Sequence, residues 1–96
     1  MYKVPPRIRI TYKVTYEVVW IDSFVDPEQL GGCCYEDRQI KIKTGMKPRK
    51  AFYVFFHELI HAINFERKLK LTEKQTEGLE LGLAGVARLN KGFTLK

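Results

Sequence analysis

The sequence predicts an α+β fold in which a small antiparallel β-sheet of about three strands packs on an active-site helix and a second, glutamate-bearing helix. Three observations predict it. The first half of the chain holds segments that alternate apolar and polar residues, a long stretch with helical periodicity follows, and a second helical stretch comes after that. At 96 residues, the chain has room for a single domain, 1–96, with one modest core.

The strands lie in the first half of the chain. From Ile8 to Val18, apolar residues fall on one parity and polar residues on the other, which predicts a half-buried strand that can break into two. A loop with glycine and proline then leads into Cys33 and Cys34. Alternation returns over 39–43, so we expect a short hairpin there.

The first helix is expected to begin near Pro48, which suits a first helical turn, and to run to about Arg67. At about 100° per residue, bulky apolar side chains cluster on one side of this helix and polar or aromatic ones lie nearly opposite. The apolar side holds Phe52, Phe55, Phe56, Leu59 and Ile63, and the opposite side holds Tyr53, His57, His61 and Asn64. The helix therefore has one face for the sheet and one for chemistry.

The second helix is opened by Thr72 and Gln75, which predict a capping box. We expect this helix to run to about Leu89. Its expected packing face consists of Leu79, Leu83, Val86 and Ala87.

The most informative segment reads H-E-x-x-H and comprises His57, Glu58 and His61. Residues four apart on a helix have Cβ atoms about 5–6 Å apart on one face, so the two histidines can hold one ion of zinc size. Glu58 points to the side of the pair and can take a proton from a zinc-bound water. By chance, the pattern arises in roughly one chain of this length in a few hundred. The sequence therefore predicts a catalytic Zn²⁺ site with Glu58 as general base.

A catalytic zinc has three protein ligands and one open position, so a third ligand is required. The metzincin continuation needs glycine at 64 and histidine at 67, where this chain has Asn64 and Arg67. Because both histidines of the chain are already in the motif, the candidate is a carboxylate of the second helix: Glu73, Glu77 or Glu80. Helical periodicity alone slightly favours Glu80 or Glu73.

The segments "FFHELIHAI" and "LTEKQTEGLELGLAGV", with the strands before them and the short basic connector between them, resemble the compact gluzincin-type zinc metallopeptidases, including the minigluzincins. They also resemble small phage and prophage proteins related to the ImmA/IrrE peptidases. The resemblance covers about 14–89. It implies a zinc metalloendopeptidase that hydrolyses a peptide or protein substrate, with Glu77 as the third ligand and Glu80 as the alternate.

The resemblance also implies how a substrate is bound. In these families the peptide lies extended along an edge strand, which 39–43 or a neighbouring strand can offer. Tyr53 and Tyr35 are candidate donors to the developing oxyanion. In the minigluzincins a C-terminal segment can block the cleft, so residues 89–96 are a candidate for making this enzyme latent.

The net charge of +6 is the basis of an alternative hypothesis. No nucleic-acid-binding signature organises the cations, so a solvated basic surface is the default and we expect no nucleic-acid partner. In the alternative, the zinc is a structural staple in a basic module that binds nucleic acid or a partner protein, and four protein ligands then surround the ion.

The cysteines and the lengths of the apolar runs indicate the cellular compartment. Cys33 and Cys34 are adjacent and cannot staple a fold, so we expect a packing role, with Cys33 as a reserve metal ligand. The N-terminal residues have no signal-like apolar run, and the longest apolar run, 51–56, is too short to span a bilayer. We therefore expect a cytoplasmic protein with no membrane partner.

Overall fold

The computed structural model describes residues 2–90 as one sheet packed against two helices, which confirms the α+β class. Its elements are β1 (Arg7–Thr11), β2 (Val14–Ile21), β3 (Gly31–Cys34), β4 (Gln39–Lys43), α1 (Pro48–Arg67) and α2 (Glu73–Leu89). The expected ends of both helices and the break of the first strand region into two strands are confirmed. None of the described helices has the length and apolarity needed to cross a membrane.

The sheet differs from the prediction in two details, because it has four strands and is mixed. The strand order is β1-β2-β4-β3. The pairs β1–β2 and β3–β4 are antiparallel, but β2 and β4 run parallel at the centre. The loop over 22–30 carries the chain to the far edge of the sheet, so the predicted hairpin returns with β4 beside β2. Alternation indicates which side chains face the core but not which strands are neighbours.

One face of the sheet packs against the aromatic side of α1, as expected. The buried cluster contains Ile8, Tyr16, Val18, Ile40, Ile42, Phe52, Phe55, Phe56, Leu59, Ala62 and Ala84. The hydroxyl of Tyr16 donates a hydrogen bond to Oε2 of Glu66 at 2.7 Å, which satisfies a buried polar group and fixes the last turns of α1 on the sheet. The histidine side of α1 is thereby held away from the sheet.

The second helix packs through small and polar residues. Thr76 and Ala84 are buried, whereas Leu79 and Leu83 are 42% and 43% exposed. The predicted packing face was therefore wrong for its large residues, and Ala87 is its member that packs against the core. Small side chains allow α2 to lie close to α1, and this brings the glutamate side of α2 toward the histidines.

Candidate metal centre

The two histidines of the motif lie one turn apart on α1 with their Nε2 atoms 3.1 Å from each other. The His57 and His61 side chains are 25% and 24% exposed. Burial lowers the pKa of His61, and His57 acts in the same direction, while Glu73 opposes them. The neutral imidazole is the form that binds a metal ion, so His61 is held in its metal-binding form.

The third member of the group is Glu73, the first residue of α2. Its Oε1 lies 3.3 Å from Nε2 of His57 and 3.6 Å from Nε2 of His61. Around a tetrahedral zinc at about 2.0–2.2 Å, two ligand atoms lie about 3.3–3.6 Å apart. The three protein atoms therefore have nearly the spacing that one zinc ion requires. Within residues 2–90, these three side chains form the group of potential ligands whose atoms all lie within 4.8 Å of one another.

Glu73 is brought to the histidines by the connector between the helices. The side-chain oxygen of Asn64 accepts a hydrogen bond from the backbone nitrogen of Leu71 at 3.0 Å, which folds the connector back over the end of α1. The predicted capping box of Thr72 and Gln75 then forms in both directions and begins α2. An acidic residue in the first turn of a helix is also favoured by the partial positive charge there. Asn64 thus holds the connector and positions Glu73 indirectly.

Glu80 contacts His57 on the side of the ring away from His61. Its Oε1 lies 2.8 Å from Nδ1 of His57, so the carboxylate can accept the Nδ1–H. In that tautomer the lone pair of His57 is on Nε2, the atom nearest Glu73 and His61. A carboxylate in this place orients a metal-binding imidazole and raises its basicity. Glu80 therefore holds the imidazole of His57 from outside the group that could bind a metal ion.

Replacing Glu80 by alanine is expected to weaken zinc binding by about 10–100-fold without abolishing it, because His57 remains but loses its orienting partner. Competition with a zinc-chelating dye measures the change. Glu77→Ala is the matched control on the same helix and should leave zinc affinity unchanged. A larger loss in Glu77→Ala than in Glu80→Ala would contradict the positions described for these glutamates.

Glu77 is exposed, as Glu73 is, but it lies outside the group of His57, His61 and Glu73 that could hold a metal ion. On an ideal helix, Glu73 and Glu80 are only about 20° apart in rotation, and Glu77 is turned by about 60° from Glu80. Glu73 reaches both histidines of α1 and Glu80 reaches His57, which leaves Glu77 to one side. The resemblance implied Glu77 as the third ligand, whereas the group that could hold a metal ion in the structure contains Glu73.

Glu58 lies on the other side of the pair, toward β3. It is 8% exposed, and burial raises the pKa of its carboxyl to about 7. The nearby Glu73 and Glu80 act in the same direction, and His57 opposes them. Gly31 of β3 lies directly against this side chain: a Cβ added at Gly31 would be 3.0 Å from Oε2 of Glu58. The space that the buried carboxyl of Glu58 occupies therefore depends on the absence of a side chain at Gly31.

Replacing Gly31 by alanine is expected to reduce the free energy of unfolding by about 1–3 kcal/mol, because the new Cβ would lie 2.6 Å from Cγ1 of Val54. Gly32→Ala is the matched control. Its Cβ meets the flexible end of Gln29 at 3.1 Å, which can move aside, so a smaller loss is expected. Urea unfolding of both variants measures the difference. An equal loss in the two would argue against a tight contact at Gly31.

A cleft of about 410 Å³ opens beside Glu58. It is lined by Leu30, Gly31, Lys50, Tyr53, Val54, His57, Glu58 and Glu80. The strand at this cleft is β3, which is an edge of the sheet, whereas β4 (39–43) is an interior strand. The edge strand next to the cleft is therefore the neighbouring strand, β3, and not 39–43.

The two tyrosines considered as oxyanion donors have different surroundings. Tyr53 lines the cleft. Tyr35 stacks on the ring of Phe65, with centroids 4.1 Å apart and planes 6° from parallel. Tyr53 is therefore the tyrosine that a molecule in the cleft would contact.

The cysteines do not enter the metal-binding group. Cys33 packs against the core, and burial raises the pKa of its thiol to about 12, with Glu58 as the next contribution. Cys34 lies 3.4 Å from a carboxylate oxygen of Asp37. The expected packing role of Cys33 is confirmed.

No known protein family, curated protein or solved structure matches this chain. The site is thus characterised by its own residues. They form a group of two imidazoles and one carboxylate that could hold a metal ion, with a second, buried carboxyl at the edge of a cleft.

Proposed function

We propose that this protein is a zinc-dependent metallopeptidase in which His57, His61 and Glu73 hold the ion and Glu58 is the general base. The observation that supports it most strongly is the triangle of ligand atoms, with sides of 3.1, 3.3 and 3.6 Å, next to a buried carboxyl. A structural zinc site has four protein ligands, and a catalytic site has three with one open position. Three ligands in the described part of the chain favour the catalytic type over a structural staple.

The proposed chemistry divides the work between the ion and the chain. When bound, zinc acidifies a coordinated water and polarises a carbonyl oxygen. Glu58 borders the cleft, where its carboxylate accepts a proton from the attacking water and returns it to the leaving amine. Glu80 keeps the imidazole of His57 in the orientation and tautomer that the site needs.

The proposed substrate is an extended segment of a peptide or protein. The edge strand β3 is paired on one side with β4, and the cleft begins at Leu30 and Gly31. A peptide can add to such an edge through backbone hydrogen bonds. The side chain of Gln29 donates to the carbonyl of Gly31 at 2.9 Å in an exposed bond that an incoming peptide can replace.

Two further parts of the proposal concern regulation and setting. Latency through residues 89–96 stays a prediction, since residues 91–96 lie outside the described residues. Cys33 and Cys34 are free thiols, which suit a reducing compartment such as the cytoplasm.

The test of the proposed function is cleavage of an unfolded protein and of a mixed peptide library by zinc-loaded protein. We expect cleavage that a chelator stops and that added zinc restores. Glu73→Ala should lower zinc affinity more than Glu80→Ala does, because it removes a ligand and not a partner of a ligand. Zinc-loaded protein that cleaves no peptide in the library would overturn the proposed activity. Equal zinc affinity in Glu73→Ala and the parent would overturn the proposed ligand set.

A further inference from the structure

A second depression adjoins the cleft at the beginning of α1. It has a volume of about 450 Å³ and is lined by Lys47, Arg49, Lys50, Tyr53 and Leu81. We call it the basic depression. Lys50 and Tyr53 line both spaces, so the basic depression lies directly beside the cleft that Glu58 lines. A chain lying in the cleft would therefore pass next to these cations.

Among residues 2–90, no acidic side chain forms an ion pair with the cations of the basic depression. Within residues 2–90, the ion pairs join the two histidines to Glu73 and Glu80. The first turn of α1 contains no acidic residue, and its N-cap side chain makes no capping hydrogen bond. Lys47, Arg49 and Lys50 are all exposed. Three positive charges thus line the basic depression, and one of them, Lys50, also lines the cleft.

The walls of the basic depression are apolar. The ring of Tyr53 and the side chain of Leu81 form them, and the guanidinium carbon of Arg49 lies 5.9 Å from the centre of the Tyr53 ring. Such a space suits a side chain with a short apolar stem and a negative end, because the stem contacts the walls and the charge meets the cations. Glutamate and aspartate side chains have this form.

We propose that the basic depression is a specificity subsite that selects an acidic side chain of the peptide substrate, close to the bond that is cleaved. The inference rests on the proposed function. A nucleic acid is the less favoured occupant, since Tyr53 is, among the described residues, the one aromatic ring that lines the basic depression and the guanidinium of Arg49 already lies over it.

The test uses fluorogenic peptides that differ at one position, which carries glutamate, glutamine or lysine and is moved stepwise along either side of the scissile bond. At the best position and low salt, we expect the glutamate peptide to have a kcat/KM about two- to fivefold above that of the glutamine peptide, a size typical of exposed charges. The lysine peptide should be the slowest. The difference should shrink at high salt, because exposed charges are screened within about 10 Å at 0.1 M.

Variants locate the effect. Arg49→Gln and Lys50→Gln should each reduce the preference for the glutamate peptide, and the double variant should reduce it further, because fewer cations then line the basic depression. Lys13→Gln is the matched control: it removes the same charge from an exposed residue between β1 and β2 that does not line the basic depression. This control should keep the full preference. Equal rates for all three peptides in the parent protein, or an equal loss of preference in Lys13→Gln, would overturn the subsite while leaving the peptidase intact.

A binding measurement separates failure of the subsite from failure of the proposed function. Glu58→Gln is titrated with the glutamate and glutamine peptides by calorimetry. Tighter binding of the glutamate peptide supports the subsite even if no peptide is cleaved, in which case the peptidase proposal alone fails. Equal binding overturns the subsite. Stronger binding of a single-stranded oligonucleotide than of the glutamate peptide, lost in Arg49→Gln, would assign these cations to nucleic acid and also overturn it.

Discussion

Replacing His57 by alanine is expected to abolish zinc binding at one ion per chain while leaving the fold in place. Nε2 of His57 lies 3.1 Å from its counterpart on His61 and 3.3 Å from Oε1 of Glu73, so its loss leaves two ligands. The His57 side chain is 25% exposed and turned away from the sheet, so its removal leaves no core cavity. Zinc content after dialysis and far-UV circular dichroism measure the two parts of this result.

The control for this prediction is Glu77→Ala, which changes an exposed carboxylate outside the metal-binding group and should retain one zinc ion per chain. His61→Ala should behave as His57→Ala does. One zinc ion per chain in the folded His57→Ala variant would refute the assignment of His57 as a ligand.

Replacing Glu58 by glutamine is expected to preserve zinc binding and to reduce kcat/KM for peptide cleavage by about 10²–10⁴-fold, the usual contribution of a general base. The amide has the shape of the carboxyl, so it fits against Gly31 and Val54 without a new contact. It cannot accept the proton of the attacking water. Initial rates on a fluorogenic peptide, with zinc content measured on the same samples, test both parts.

Glu66→Gln is the control for the base. Glu66 lies on the same helix, but its carboxylate accepts a hydrogen bond from Tyr16 at 2.7 Å on the side of the sheet, and an amide oxygen can accept that bond as well. This variant should cleave at nearly the parental rate. Cleavage by Glu58→Gln at the rate of Glu66→Gln would show that Glu58 is not the base.

Local patterns in the sequence predicted the elements of the fold well. Pro48 and the Thr72–Gln75 capping box act on their own turns, so they fix the beginnings of α1 and α2 without help from the rest of the chain. The motif of His57, Glu58 and His61 is equally local, because helical rotation alone places its side chains.

The arrangement between elements was harder to predict. The parallel pairing of β2 with β4 depends on where the loop over 22–30 crosses, which no residue pattern states. The packing side of α2 was wrong for Leu79 and Leu83 because hydrophobicity was taken as the guide, while the close approach of two helices favours small residues such as Ala84.

The third candidate ligand was predictable in part from the helix and in part not. Helical periodicity places Glu73 and Glu80 on one side of α2, and the structure brings both to His57. Which of the two contacts both histidines depends on the position along α1 at which α2 crosses it. That position is set by the connector, in which the side chain of Asn64 accepts a hydrogen bond from the backbone N–H of Leu71. The sequence feature that corresponds to this contact is Asn64, near the end of α1. Its hydrogen-bond partner lies seven residues further along the chain, so the pattern of residues in the helix does not indicate it.

The proposed function requires that two imidazoles and the carboxylate of Glu73 hold a zinc ion whose remaining position is open to solvent. A crystal structure of protein grown with zinc would show these ligands. We expect Nε2 of His57, Nε2 of His61 and an oxygen of Glu73 at about 2.0–2.2 Å from the ion, with water in the fourth position. A fourth protein ligand in place of the water, or zinc bound away from both imidazoles, would contradict the proposed site.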